Sequence, residues 1–120
     1  MHILKTEPIM AYMILHSINL NNELKAYNMI KHLSKDDNID HIFLFNYVST
    51  ELENMTILIF ACKKSMNNIA LFLLDEYGNQ LILKHKDIYN KTALNYAVQN
   101  GLKNVAHKIL LLEKTNKIES

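Results

Sequence analysis

The chain has few of the residues that form loops, covalent crosslinks or phosphate contacts. Its 120 residues include two Gly, one Pro and one Cys, and all 13 basic residues are Lys, so Arg is absent. So little Gly and Pro argues against a disordered or linker-rich chain. Arg is the usual residue for bidentate contacts with phosphates and bases, and the formal net charge is only +1. Nucleic acid is therefore not the expected partner.

Cysteine and long apolar runs are also scarce. Cys62 stands alone, which excludes an intrachain disulfide and a cysteine-based zinc site and predicts a reducing compartment, the cytoplasm or the nucleus. Apolar runs such as residues 69–74 are too short to span a bilayer, so no membrane association is expected. Residues 9–15 have the length of a signal-peptide core, but no small-residue cleavage site follows them. An amphipathic first helix is the better interpretation.

Two segments of the sequence repeat each other with a period of 36 residues, from Thr56 to Thr92. Residues 54–61 read NMTILIFA and residues 90–97 read NKTALNYA. Each segment is followed by an amphipathic stretch with the same apolar spacing, so that Met66, Ile69, Ala70, Leu73 and Leu74 correspond to Leu102, Val105, Ala106, Ile109 and Leu110. Self-similarity at such a period indicates a stacked repeat protein, and proteins of that class usually present a binding face.

Hydrophobic periodicity and capping residues predict three helix pairs joined by two extended, finger-like connections. The predicted helices cover residues 8–18, 22–33, 56–63, 66–76, 92–99 and 102–114. Residues 41–50 are rich in aromatic and β-branched side chains and are predicted to be extended. Gly78 is expected to end the fourth helix in a left-handed conformation.

These elements predict one all-α domain over residues 1–120. Residues 1–40 form a degenerate N-terminal unit or cap, 41–78 a repeat, 79–114 a second repeat that serves as the C-terminal cap, and 115–120 a frayed tail.

Residues 87–101, DIYNKTALNYAVQNG, resemble the signature of the ankyrin repeat family, in which Thr, a small residue, Leu, a polar residue and Ala follow a turn. The resemblance is strong over about residues 46–113 and weak over 1–40. It implies a solenoid of about three stacked helix pairs. Asn54 and Asn90 take the turn position that requires positive φ. The family's His is replaced by Ile59 and Asn95, so its usual hydrogen bonds between repeats are expected to be missing.

No cluster of side chains predicts catalysis. None of the six His shares the i, i+4 spacing that places two imidazoles on one helical face, so no metal site is expected. Cys62 lacks any local sign of an activating base and is predicted to be a buried structural residue. The acidic pairs at 36–37 and at 51 and 53 are interpreted as turn and cap residues. The chain is therefore predicted to be no enzyme and to need no cofactor.

The resemblance implies that the finger tips and the exposed side of each inner helix bind a protein partner. Ten residues occupy these positions: Leu52, Glu53, Met55, Lys63, Lys64, Ile88, Tyr89, Lys91, Gln99 and Asn100. Apolar tips rimmed by charge are typical of protein interfaces. Met55 in particular is expected to point outward from its turn. The alternative is that some of these side chains pack on neighbouring fingers.

The resemblance permits two kinds of role. The first is a non-enzymatic interaction module, which includes adaptors and inhibitors of the kind that viral or parasite ankyrin proteins provide. The alternative is a structural role in which the segment self-associates as a homodimer through unshielded end helices.

Overall fold

A computed structural model describes the backbone of residues 6–119 and the side chains of residues 6–115. This part of the chain contains two single-turn 3-10 helices, Thr50–Leu52 and Gly78–Gln80, and seven α-helices: α1 (Glu7–Asn19), α2 (Glu23–Ser34), α3 (His41–Phe45), α4 (Ile57–Lys63), α5 (Asn67–Tyr77), α6 (Ala93–Gln99) and α7 (Lys103–Glu119). No β-strand occurs among these residues, so the predicted all-α class is confirmed. Residues 1–5 of the predicted N-terminal unit and Ser120 of the predicted tail lie outside the described residues.

The helices form two rows. Helices α1, α4 and α6 follow one another along an inner row, and α2, α5 and α7 follow one another along an outer row. Each inner helix packs on its outer partner, which gives the pairs α1/α2, α4/α5 and α6/α7 and confirms the predicted stack. One apolar core runs through all three pairs. Ile14 of α1, Ile69 of α5 and Ile109 of α7 are each fully buried in it.

Side-chain caps determine where four of the helices begin. The cap residue accepts a hydrogen bond from the backbone N–H three positions later at Asn22, Asp40, Thr56 and Thr92. At α6 the bond is reciprocal, because the Asn95 side chain accepts from the Thr92 N–H at 2.9 Å. These bonds satisfy backbone donors that the first turn of a helix leaves unpaired. The predicted starts at the two threonines are therefore confirmed, and the Asn95 that replaces the family's His has a capping role.

The segment 41–50 was wrongly predicted to be extended. Its first half is the short helix α3, which Asp40 caps by accepting from the Phe43 N–H at 3.0 Å. Leu44 and Phe45 at its end are buried. Five residues make little more than one helical turn, so they cannot show the apolar periodicity of a helix. The aromatic and β-branched side chains were then the only signal, and they indicated a strand.

Gly78 does not have the predicted left-handed conformation. Its φ is −43°, which any residue can adopt. A Cβ at this position would lie 2.8 Å from Leu112 Cδ1 of α7, so the end of that flexible side chain would have to shift. The close approach lets the end of α5 pack on the last helix. That helix runs to Glu119, beyond the predicted end near residue 114.

Candidate protein-binding site

The first finger, residues 49–55, is a tight backbone turn. The Ser49 N–H donates to the Met55 carbonyl oxygen at 3.0 Å, and the Asn54 N–H donates to the Ser49 carbonyl oxygen at 2.9 Å. Glu53 and Asn54 have φ values of 61° and 59°, so the predicted positive φ at Asn54 is confirmed. The turn projects Glu53 away from the helices towards the second finger.

The second finger, residues 87–91, is organised by one carboxylate. Asp87 Oδ1 accepts from the backbone N–H groups of Tyr89 and Lys91 at 2.9 and 3.0 Å. The Asp87 N–H donates to the Lys91 carbonyl oxygen at 3.0 Å. Asn90 has the predicted positive φ, 62°. Because Asp87 holds both ends of the turn, the exposed tip of Ile88 and Tyr89 has a defined backbone conformation.

Backbone and side-chain hydrogen bonds join the two fingers. The Ile88 N–H donates to the Glu53 carbonyl oxygen at 3.0 Å. His85 Nε2 lies 2.8 Å from the Asn54 carbonyl oxygen, which can only accept, so this ring nitrogen is the donor. These bonds, which the sequence did not predict, connect neighbouring repeats where the family's imidazole is missing.

A second bridge lies at the base of the fingers. The Asn46 side chain accepts from the Ile82 N–H and donates to the Gln80 carbonyl oxygen, both at 2.8 Å. One amide therefore ties the segment before the first finger to the segment before the second.

A network of five side chains spans the finger tips: Glu53, Lys63, Asp87, Tyr89 and Tyr96, hereafter the finger network. The Tyr89 hydroxyl donates to the Glu53 carboxylate, and this hydrogen bond raises the pKa of the Tyr89 phenol. Lys63 Nζ lies 3.5 Å from Glu53 Oε1 and 5.0 Å from the centre of the Tyr89 ring. Lys63 therefore combines an ion pair with a cation–π contact.

Asp87 and Tyr96 form the buried half of the finger network. Asp87 is 6% exposed and Tyr96 is 3% exposed. The Tyr96 hydroxyl donates to Asp87 Oδ2, and burial, followed by this hydrogen bond, raises the pKa of Tyr96. Lys91 Nζ lies 5.4 Å from the centre of the Tyr96 ring and 3.1 Å from Gln99 Oε1. Sequence reasoning did not identify Asp87 and Tyr96 as site residues, although an Asp at the first position of a turn is a recognised signal.

The structure brings several of the ten predicted residues into contact, because Glu53 contacts Lys63, Ile88 and Tyr89, and Lys91 contacts Gln99. Ile88 and Tyr89 are 57% and 53% exposed, as expected of finger tips. Gln99 is also exposed, and the remaining polar residues of the set are partly buried, namely Glu53, Lys63, Lys64, Lys91 and Asn100. Asn100 is committed to the fold, because its Nδ2 donates to the carbonyl oxygens of Cys62 and Lys63 at 2.8 and 3.0 Å.

Two predicted contact residues pack against the core. Met55 is 0% exposed, so the prediction that it points outward was wrong. It pairs with Ser49 at the base of the first finger, directly before α4, and its side chain therefore enters the core. Leu52 is partly buried and packs against the same core. Both residues pack on the core, whereas the stated alternative was packing on a neighbouring finger.

Sequence reasoning missed a groove between α1 and the first finger. The groove has a volume of about 380 Å³, and its lining includes Pro8, Ile9, Tyr12, Tyr47 and Thr50. Ile9 and Tyr12 are exposed although they are large and mostly apolar. The available signal was the apolar run at 9–15, which contains more apolar residues than one buried face of a helix requires.

The described side chains offer little for chemistry. No group of three or more His, Cys, Asp or Glu among them is arranged to hold a metal ion. Burial raises the pKa of Cys62 to about 12, so at neutral pH its thiol is protonated, as a buried structural cysteine requires. Over the same residues, no helix combines the length and apolar character needed to cross a membrane.

The stacked pairs, the two fingers and the threonine caps of α4 and α6 define a class of protein that the sequence pattern also identifies. Ankyrin repeats, in three copies, match residues 15–120. The chain therefore belongs to the ankyrin repeat family, whose members are generally non-enzymatic modules for protein–protein interaction. No curated protein and no solved structure matches the chain.

Proposed function

We propose that this protein binds a protein partner through its finger-side face, defined by the exposed tip residues Ile88 and Tyr89, the partly exposed Lys63 and Lys91, and Gln99. The observation that carries the proposal is the exposure of two large side chains on a tip whose backbone is fixed. Tyr is enriched among residues that dominate binding energy, and exposed apolar tips normally become buried in a complex.

The finger network supports the proposal because it orders the face before any partner arrives. Asp87 fixes the backbone of the tip, and the Glu53 carboxylate fixes the Tyr89 ring through its hydroxyl. A side chain that is ordered in the free protein loses less conformational entropy on binding. Such a module acts by binding its partner, as both adaptors and inhibitors do.

Charge indicates which partner suits the face. Lys63 is paired with Glu53, but Lys64, Lys84, Lys86 and Lys91 form no ion pair with the described side chains. Lys84 and Lys86 directly precede the exposed tip in sequence and Lys91 follows it, so the second finger carries a local excess of positive charge. We propose a partner that presents an apolar anchor flanked by acidic side chains, since complementary charge accelerates and orients docking.

A photocrosslinking experiment tests the location of the face. A photoreactive amino acid replaces Ile88 in one variant and Leu24 in a matched control, because Leu24 is an equally apolar residue that is 70% exposed on α2, outside the face. Illumination in a lysate of the source cell should attach a discrete partner at position 88 and not at position 24. Recovery of the same proteins at both positions would contradict the proposal.

A variant series then tests the energetics. Tyr89→Ala should weaken capture of that partner at least tenfold, which corresponds to about 1.4 kcal/mol. Tyr89→Phe, which keeps the ring and loses the bond to Glu53, should weaken it less. Leu24→Ala is the control and should leave capture unchanged. Equal capture by wild type and Tyr89→Ala would show that the tip is not part of the interface.

Self-association through the end helices is a second candidate function. The specific observation that favours it is the exposure of Val98 and Leu110, at 65% and 53%, on the last helix pair. Neither residue belongs to the finger-side face, so the two candidate functions do not compete for one surface.

A further inference from the structure

Helix α6 ends in a turn that contains the one Asn–Gly pair of the sequence, Asn100 and Gly101. The Gly101 N–H donates to the Val98 carbonyl oxygen at 3.2 Å, and the Leu102 N–H donates to the Ala97 carbonyl oxygen at 2.8 Å. With Gly101 at a φ of 70°, these two bonds form a Schellman motif, which ends a helix with a residue in the left-handed conformation. Glycine suits that position because it has no Cβ.

The preceding repeat builds the same turn from different residues. At the corresponding positions, 36 residues earlier, stand Lys64 and Ser65. Ser65 has a φ of 59°, and its N–H donates to the Cys62 carbonyl oxygen at 3.2 Å. A residue with a side chain therefore supports this turn, and the backbone does not require a glycine at position 101. What distinguishes the turn of the last repeat is the chemical reactivity of its Asn–Gly pair.

An asparagine that precedes a glycine can lose its side-chain amide without an enzyme. The Gly101 backbone nitrogen attacks Asn100 Cγ. A bond from this nitrogen to Cγ forms, the bond from Cγ to Nδ2 breaks, and Nδ2 leaves as ammonia with the proton that the backbone nitrogen gives up. Water then opens the resulting succinimide ring at either carbonyl, which leaves aspartate or isoaspartate. A Cβ on the following residue hinders the attack, and Gly101 has none.

The fold engages both reacting groups in hydrogen bonds. Asn100 Nδ2 donates to the carbonyl oxygens of Cys62 and Lys63 at 2.8 and 3.0 Å, and the Gly101 N–H donates to the Val98 carbonyl oxygen. Attack requires the amide to turn away from α4 and the Gly101 nitrogen to leave its acceptor, so all three bonds must break first. The reaction is therefore expected only from chains in which the end of α6 has detached from α4.

We propose that the Asn100–Gly101 pair is a deamidation site that contact between α4 and α6 protects, and that the reaction permanently marks chains that have unfolded. Both products carry a carboxylate in place of the amide, and a carboxylate has no N–H to donate. After refolding, its negative charge would face the two carbonyl oxygens that the amide served, so the marked chain is less stable than the original. The site is separate from partner binding at Ile88 and Tyr89, because the Asn100 amide contacts α4.

Peptide mapping with detection of isoaspartate tests the reaction. Wild type is incubated in mildly alkaline buffer, with and without enough urea to unfold it. In urea, isoaspartate should appear at position 100 and not at Asn79, an exposed asparagine that precedes Gln80. Without urea it should form at least about tenfold more slowly, because only the open fraction of the chain reacts. Equal rates with and without urea, or equal modification at Asn79, would overturn the proposal.

Gly101→Ser is the matched variant for the chemistry. It gives the last repeat the residue that the preceding repeat has at Ser65, and a Cβ at position 101 would have no other atom within 4 Å. In urea, where differences in folded stability do not matter, this variant should form isoaspartate at least about tenfold more slowly than wild type, because its Cβ hinders the attack. An unchanged rate would show that the Asn–Gly pair does not define the site.

Urea unfolding tests the consequence for the fold. Asn100→Asp carries one of the two products directly and should unfold at a lower urea concentration than wild type. Asn28→Asp makes the same change at an exposed position on α2 and should keep the wild-type midpoint. Equal midpoints for Asn100→Asp and wild type would show that the folded protein tolerates the product, which would overturn the proposed marking of unfolded chains.

Discussion

At the residue scale, neighbouring buried side chains have very different chemical environments. Cys62 is surrounded by apolar groups, and desolvation alone raises its pKa from 9.0 to about 12. Asp87 is almost as inaccessible but accepts two backbone N–H groups and a tyrosine hydroxyl. Burial without partners favours the neutral form of a group, whereas hydrogen-bond donors allow a charged group to be buried.

We predict that Cys62 makes the protein less stable at alkaline pH. In the unfolded chain the thiol loses its proton above pH 9.0, but in the folded protein it keeps the proton up to about pH 12. The unfolded state then binds fewer protons, so the free energy of unfolding falls as pH rises through this window, by up to about 4 kcal/mol at ~1.4 kcal/mol per pKa unit. Below pH 9 the contribution is fully present.

Urea unfolding of wild type and Cys62→Ala between pH 8 and 11 would measure this effect. At pH 8 the free energy of unfolding of Cys62→Ala should be lower than that of wild type because packing is lost. Above pH 9 it should decline less steeply with pH. All other ionisable groups are common to both proteins, so their contributions cancel in the comparison. Parallel pH profiles would show that the thiol does not titrate differently in the two states.

At the element scale, the capping box of α6 replaces a side chain on which the ankyrin pattern usually relies. Thr92 and Asn95 exchange hydrogen bonds between side chain and backbone, at 3.2 and 2.9 Å, and their side chains also contact each other at 3.1 Å. Helix α6 has only seven residues. A helix this short depends on caps and packing because its own hydrogen bonds are few.

We predict that the two box residues act as one unit. Thr92→Val and Asn95→Ala should each lower the free energy of unfolding by about 0.5–2 kcal/mol, and the double variant should cost less than the sum of the two. Thr92→Ser keeps the cap oxygen and should cost less than Thr92→Val. A double-mutant cycle by chemical denaturation gives the coupling, and strict additivity would contradict it.

Sequence reasoning predicted an element correctly where its signal was long enough and came from residues close together in the chain. Helices α4 and α6 were predicted because caps and apolar spacing coincide within a few residues. Helix α3 was not, because five residues carry no periodicity. Positive φ at Asn54 and Asn90 follows from a local turn pattern and was predicted.

The candidate site was predicted only in part for a similar reason. Ile88 and Tyr89 were correctly predicted to be exposed, because their repeat position determines it. The pairing of Glu53 with Tyr89 joins separate fingers, and no local pattern encodes such a contact. Met55 was assigned to the wrong side because one residue of shift along a turn moves a side chain from solvent to core.

At the scale of the whole molecule, the three helix pairs share one core. The buried set extends from Ala11 of α1 to Ile109 of α7 without division into separate clusters. Each pair buries its apolar face only by contact with its neighbour, as in other repeat architectures. With three pairs in the stack, losing an end pair exposes one side of the middle pair.

We therefore predict a single cooperative unfolding transition. Ile14→Val at one end and Ile109→Val at the other should each lower the free energy of unfolding by about 0.5–1.5 kcal/mol. Each should shift the one midpoint seen both by far-ultraviolet circular dichroism and by tyrosine fluorescence. Transitions that separate between the two probes, or that shift in only one of them, would show that the ends unfold independently.

The Asn100 amide adds an order of events to this picture. The carbonyl oxygens of Cys62 and Lys63, at the close of α4, accept from the side chain of a residue far along the chain. The Cys62 oxygen also accepts from the Ser65 N–H at 3.2 Å, so a ribosome that has delivered the polypeptide only as far as Gln99 leaves the Lys63 oxygen without this donor. The end of the middle inner helix is thus completed by a group that is synthesised after it.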